Sequence, residues 1–323
     1  MKNEPISDKI LEQVKKLEQK YEAMGQDLSS YLDGLLHADF LTYWDYIHLD
    51  TLLSLQNPKT HFPDEKIFII YHQITELYFK LILNEVDQLA FDDALDAKRF
   101  LTRVNRINRY LEHLSDSFDV MIDGMDKEQF LNFRMSLLPA SGFQSAQIRL
   151  FEIAATDMIN LVEFDRRETL DSTNISQMYD HLYWKKGATE MATGKKTLTL
   201  QQFEKKYSEE FKAAGERFQL SNIWKKYQSN YVDSDLNKDL VTALRKMDQL
   251  TNVHWRLAHY KSAVKYLQRD PEVIAATGGT NWQKYLPPRF QRVIFFPELW
   301  TSLEKEQWGK NWVEETLIGK NKK

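Results

Sequence analysis

The hydrophobic pattern of the chain centres on one run, Ile67 to Leu89, IFIIYHQITELYFKLILNEVDQL, which contains neither glycine nor proline. Apolar side chains cover nearly the whole circumference of its first half, the pattern of a helix buried on all sides. Polar residues interrupt it too often for a bilayer span, which needs about 20 predominantly apolar residues. The spacing predicts the central helix of a helical body. Phe68, His72 and Glu76 fall four apart and form one stripe along it. An imidazole between an aromatic ring and a carboxylate, inside a core helix, is the first candidate for chemistry.

Helical periodicity recurs along the rest of the chain. Ile10, Leu11, Val14, Leu17 and Tyr21 make a thin apolar stripe on a charged background. It fits a surface arm or a contact to another subunit. The stretch YWDYIHLDTLLSLQ, 43–56, puts Tyr43, Tyr46, Leu49 and Leu53 on one face. Pro58 and Pro63 break the chain before the central helix, whose first turn carries Asp64 and Glu65, a favourable charge for the helix dipole. Phe100, Val104, Ile107, Tyr110, Leu111 and Leu114 mark an amphipathic helix over 98–122. Asp126 with Gln129 reads as a capping box, and Pro139 ends the helix it opens. Ser141 with Gln144 reads as a second, opening a helix to about Phe164. From Asp235 a long helix resumes, with Trp255, His259, Ala263 and Tyr266 on one face. Ala258 and Ser262 flank that imidazole and leave room for something flat and wide. The tail, RVIFFPELWTSLEKEQWGKNWVEETL, adds one more amphipathic helix.

Only 11 Gly and 8 Pro in 323 residues fit long helices joined by short loops, not a many-stranded sheet. The expected fold class is all-α: a single large helical domain over 1–323 around the buried central helix. Residues 1–60 form an N-terminal arm with helices, and the more polar 165–235 a peripheral helical insertion. A net charge of −4 gives no clustered basic face for nucleic acid. No run is long enough for a membrane span, and MKNEPISDKI has no apolar signal core, so a cytoplasmic location is expected. The absence of cysteine excludes disulfides, thiolate metal sites and cysteine nucleophiles. Any metal must be held by His, carboxylate or Tyr.

Each candidate has an ordinary reading beside the chemical one. His72 with Glu76 has the spacing of half a carboxylate–histidine metal site, but no second helix offers a matching pair, and from spacing alone a satisfied core histidine is the commoner reading. His259 alone does not define a protein-built metal site. A single axial imidazole does suffice for haem, where the porphyrin supplies the other ligands. Arg134, among Leu131, Phe133, Leu137 and Leu138, either snorkels to the surface or is held for an anion. A hydroxyl at Thr277 precedes two glycines in ATGGTNW, a turn signal by itself.

Together these stretches resemble the tryptophan 2,3-dioxygenase family. The carriers are YWDYIHLDTLLSLQ, PDEKIFIIYHQITELYFKLIL, FLNFRMSLLPASGFQSAQIRLFE and WRLAHYKSAV with ATGGT, in that order. The resemblance covers about Tyr43 to Phe164 and Leu250 to Pro297. It implies an all-α homotetramer with one haem b, and its iron, per subunit. It implies His259 as the proximal iron ligand and His72 as the distal histidine near the substrate indole nitrogen. It implies Phe68 and Phe130 as pocket aromatics, Arg134 as the partner of the substrate carboxylate, Ser141 as a hydroxyl near the haem, and Thr277 near the substrate ammonium. Tyr43 and Tyr46 match tyrosines that reach a neighbouring subunit's pocket. The implied reaction is cleavage of the indole ring of L-tryptophan by dioxygen to N-formylkynurenine, the first step of the kynurenine route.

The sequence departs from the family pattern at several points. Pro63 replaces a histidine, Tyr78 a tryptophan, and ATGGTNW replaces GTGGSSG, with Trp282 where a small residue is usual. Two alternatives therefore stand beside the main expectation. One is a haem oxygenase of the same fold acting on a substituted indole or related aromatic amino acid. The other is a helical haem-binding or sensing protein without turnover.

Overall fold

The computed structural model describes residues 6–38, 41–138, 140, 144–189, 195–267 and 287–310. The chain divides into two compact units, Met1–Gln56 and Asn57–Lys323.

The first unit holds α1 (Asp8–Ala23), α2 (Leu28–Leu36), α3 (Tyr43–Tyr46) and α4 (Leu49–Leu53). None of these helices contains a buried residue. α2 is capped by Asp27, whose carboxylate accepts the N–H groups of Ser29 and Ser30. The single face expected over Tyr43 to Leu53 is interrupted: His48 takes a left-handed backbone, φ 52°, and separates α3 from α4.

The second unit is built on α5 (Asp64–Phe91), the expected central helix. Glu65, fully buried, accepts the N–H groups of Lys59 and Thr60 at 2.7 Å each and the Thr60 hydroxyl at 2.6 Å. It therefore fixes the preceding loop and does more than complement the helix dipole. α6 (Ala97–Asp116) packs on α5, and a break at Ser117–Phe118 separates it from the short α7 (Asp119–Ile122), where the sequence pattern runs on. α8 (Lys127–Phe133) starts on the Asp126 cap, as read, and passes into a 3₁₀ turn over Arg134–Leu137. The second half of that capping box is redirected: the Gln129 side-chain oxygen Oε1 accepts from Asp64 N–H, and Asp126 N–H donates to the Asp64 carboxylate.

α9 (Ala146–Ala155) ends well before Phe164 and is followed by 3₁₀ turns at Met158–Leu161 and Phe164–Thr169. It packs against α5. Ser141 lies outside the described residues. Gln144 donates to the Thr199 carbonyl. α10 (Ile175–Asp180), α11 (Tyr183–Gly187), α12 (Leu198–Phe218) and α13 (Ile223–Asn230) follow. Trp184, Phe203, Phe211, Trp224 and Tyr227 from this stretch belong to the main hydrophobic core with Phe79, Val86, Phe100 and Leu244. Its lysines face outward for the most part, which explains the polar average of a segment that is amphipathic in structure.

α14 (Asn237–Gln249) packs on α6, and a π-helical segment, Leu250–His254, joins it to α15 (Trp255–Leu267). Asp248, fully buried, accepts from the N–H groups of Phe295 and Phe296 and the Trp300 indole, at 3.0–3.1 Å. These bonds tie the later chain to α14. Burial outweighs them and pushes the Asp248 carboxyl up to about 6. In the described part of the tail there is a short helix, Ser302–Glu306, with a complete Thr301–Glu304 capping box.

Among the described residues the only strand-like features are isolated bridges, Val162–Leu182 and Thr189–Lys196. The fold class is all-α, as expected. The reading of the central helix also needs correction. α5 is not buried on all sides: Ile70, Ile74, Leu77 and Leu81 form an exposed stripe, 39–52% accessible, opposite the core-facing Phe79, Ile82 and Val86.

Candidate active site

Four elements deliver aromatic and titratable side chains to one region of the second unit. α5 supplies Phe68, Tyr71 and His72. The Phe68 and His72 rings lie 4.1 Å apart, as residues one helical turn apart can. α8 supplies Phe130 and Phe133, whose rings stand 6.2 and 5.8 Å from Phe68. Arg134 follows at the start of the 3₁₀ turn and is 4% exposed. Of the two readings of Arg134, the snorkelling one fails; burial lowers its pKa, leaving it cationic. α15 supplies Trp255, His259 and Tyr266. Phe118 joins the two sides, 5.6 Å from Tyr71, 4.7 Å from Trp255 and 5.9 Å from His259, stacked on the imidazole. Phe130 closes the ring of contacts at 4.6 Å from Tyr266.

The two imidazoles share this region. Burial pushes His259 down to about 4, and the nearby His72 and Arg149 add repulsion. Burial likewise lowers His72, against the Phe68 carbonyl and Glu76, which favour its charged form. Both rings are thus neutral near pH 7. Both side chains are partly buried. Ala258 and Ala263, on the same helix as His259, pack against the cluster of Tyr71, Phe118 and Tyr266.

Glu76 has a structural partner. Gln147 Nε2 donates to its carbonyl and its carboxylate, 2.8 Å each, tying α9 to α5 one turn beyond His72. Among the described residues no three His, Asp or Glu side chains gather as a metal site.

A family model described as tryptophan 2,3-dioxygenase matches residues 35–250, two thirds of the chain. The chain belongs to the tryptophan 2,3-dioxygenase family. It is an oxidoreductase enzyme by that membership. Among the family's members, "Tryptophan 2,3-dioxygenase" of Bacillus thuringiensis subsp. konkukian is 28% identical over 282 residues, covering 82% of this chain and 94% of that protein. The Ruegeria pomeroyi member is 29% identical over 281 residues, 82% and 92% of the two chains. A Herpetosiphon aurantiacus member is 45% identical over a shorter 115 residues, 35% and 44%.

The family match contains His72 and Arg134 and ends before His259. Thr277 and Trp282, like Ser141, fall outside the described residues. Tyr43 and Tyr46 stand in the first unit, 71% and 74% exposed. What the sequence reading missed is a buried polar group beside the site: Arg149, Glu152, Tyr183 and Arg256. The signal was present, since Arg149 and Glu152 sit three apart in the otherwise apolar IRLFEIAA. A cavity of about 270 Å³ between α9, α10, α12 and α13, walled by Met158, Ile175, Gly215 and Phe218, contains none of these side chains.

Proposed function

We propose that the protein is a haem-dependent dioxygenase that opens the indole ring of L-tryptophan to give N-formylkynurenine. The observation that carries this reading is the convergence of His72 and His259 from different helices on one aromatic-lined region. The residues fit the cofactor. His259 is neutral, partly buried and stacked on Phe118, with Ala258 and Ala263 on the same helix, and an axial nitrogen ligand must be an unprotonated imidazole. Haem held there would supply dioxygen binding and the oxygen-insertion chemistry.

The chain's own residues supply recognition and a dry setting. His72 uses Nδ1 toward the Phe68 carbonyl, 2.7 Å away. A carbonyl only accepts, so the proton sits on Nδ1 and Nε2 is left as an acceptor for an indole N–H. Phe68 and Phe130 offer flat apolar walls. Arg134 presents the planar fork that pairs with an amino-acid carboxylate. By family resemblance Thr277 serves the substrate ammonium and Ser141 lies near the cofactor. Purified protein reconstituted with haem, reduced, and given dioxygen and tryptophan should form the N-formylkynurenine chromophore. Absence of that product from haem-replete protein at every tryptophan concentration would retire the reading.

A second reading rests on Trp282 in the ATGGTNW stretch. A bulky residue there favours a substituted indole or related aromatic amino acid. Product mass with isotopically labelled oxygen separates insertion of one atom from two.

Assembly of several copies, a tetramer by family resemblance, is part of the same proposal. The exposed stripe on α5 and the first unit's uncovered Ile10, Leu35 and Leu53 support it. A monomeric mass in light scattering of the holoprotein would remove it.

A further inference from the structure

The polar group beside His259 has no task in the recognition scheme above. Arg149 donates to Glu152 at 2.9 and 3.1 Å and to the Tyr183 hydroxyl at 2.6 Å. Tyr183 in turn donates to Glu152 at 2.6 Å. Arg256 donates to the same hydroxyl at 3.0 Å, to Glu152 at 3.3 Å and to Asn252 at 2.7 Å. All four of Arg149, Glu152, Tyr183 and Arg256 are buried. Arg256 precedes His259 by three residues on α15, so the two side chains occupy neighbouring positions on one helical face. The group is therefore anchored one turn from the imidazole.

Its charge does not cancel. Two guanidiniums share one carboxylate, Glu152. Among the described residues the group reaches a second carboxylate, Asp248, through Asn252, which donates to it at 2.8 Å. Arg149 also keeps a buried Nε–H with no acceptor among the described residues. Tyr183 stays an uncharged phenol, because burial raises its pKa to about 12. The excess is positive, in a medium where water does little to screen it.

We infer that Arg149 is a positioning residue for the redox state of the cofactor. Its charge, held by Glu152 and Tyr183 next to α15, makes His259 a weaker electron donor and favours the reduced form of an iron ligated there. The inference rests on the proposed ligation of haem by His259. Charge and hydrogen bonding around an axial ligand are general determinants of iron potential.

The test is a spectroelectrochemical titration of the haem in the full-length holoprotein. Arg149→Met should lower the midpoint potential, raising the oxidised-to-reduced ratio at fixed ambient potential roughly tenfold, about 59 mV for one electron. Arg149→Lys, which keeps the charge and loses the fork, should stay near the parent value. Glu152→Gln, which removes the opposing charge, should move the potential the other way. Should Arg149→Met fail to fold, the Lys and Gln variants decide between them. A purely structural role predicts no shift, or shifts of one sign in Arg149→Met and Glu152→Gln, and either result overturns the inference. A parent protein with no Soret band overturns the haem reading itself, which is a different outcome from an intact band with an unmoved potential.

Discussion

His72 donates its Nδ1–H to the carbonyl oxygen of Phe68, one turn earlier on the same helix, at 2.7 Å. This single bond fixes which nitrogen carries the proton and aims the other nitrogen away from α5's backbone. His72→Ala should therefore keep the haem, seen as an unchanged Soret band, while reducing tryptophan affinity or turnover. Loss of haem from that variant would assign His72 a structural role instead.

Arg134→Ala should weaken substrate binding by roughly 2–5 kcal/mol, the range for truncating one partner of a buried charge pair. Arg134→Lys should recover only part, because an ammonium does not reproduce the two-pronged geometry. Steady-state kinetics check this, with an unaltered KM and kcat in Arg134→Ala contradicting the carboxylate role.

The pH dependence of apoprotein stability follows from His259. Its folded pKa of about 4 lies below the unfolded value near 6.5, so the unfolded chain binds more protons between the two. The stability it contributes is full above about pH 6.5 and is lost as the pH falls toward 4. The loss is about 3 kcal/mol at 1.36 kcal/mol per pKa unit. Asp248, raised to about 6, acts with the opposite sign below about pH 6, within the same range, so the clean observable is a difference. Denaturant unfolding of wild type minus His259→Phe should show the decline, and parallel curves from pH 7 to 4 would refute it.

Gly215 lies where α12 presses on its neighbours. A Cβ there would meet Ile175 Cγ2 at 2.7 Å and Met158 Sδ at 3.1 Å. The thioether can give way; the branched carbon of Ile175 is less free. Gly215→Ala should destabilise the fold by about 1–3 kcal/mol, the usual cost of overpacking, with the haem spectrum unchanged. A raised melting temperature would mean the gap closes without strain.

Much of this architecture is legible in the residues. Period and capping carry α5, α6 and the Asp126 start of α8, because an apolar stripe and a side-chain acceptor act locally. The pairing of His72 with His259 is not local: 187 positions separate them, and only motif resemblance brings them together before the structure does. Helix ends chosen by tertiary contacts are equally hidden. Nothing in IAATDMINL announces that α9 stops at Ala155, where the Thr156 hydroxyl turns to the Phe295 carbonyl. The exposed stripe of α5 is misread for a related reason, since hydrophobicity alone does not say whether the cover comes from the same chain.

The π-helical segment Leu250–His254 sets the phase of everything after it. A π segment accommodates an extra residue relative to the α-helical ladder, and one residue is worth about 100° of rotation about the axis. Removing one of those five residues would restore the α ladder and leave His259 near its present direction, whereas winding the segment into α-helix at its present length would swing the side chain by that angle. The imidazole would then face a different neighbour, with every atom of the pocket's remaining walls still in place.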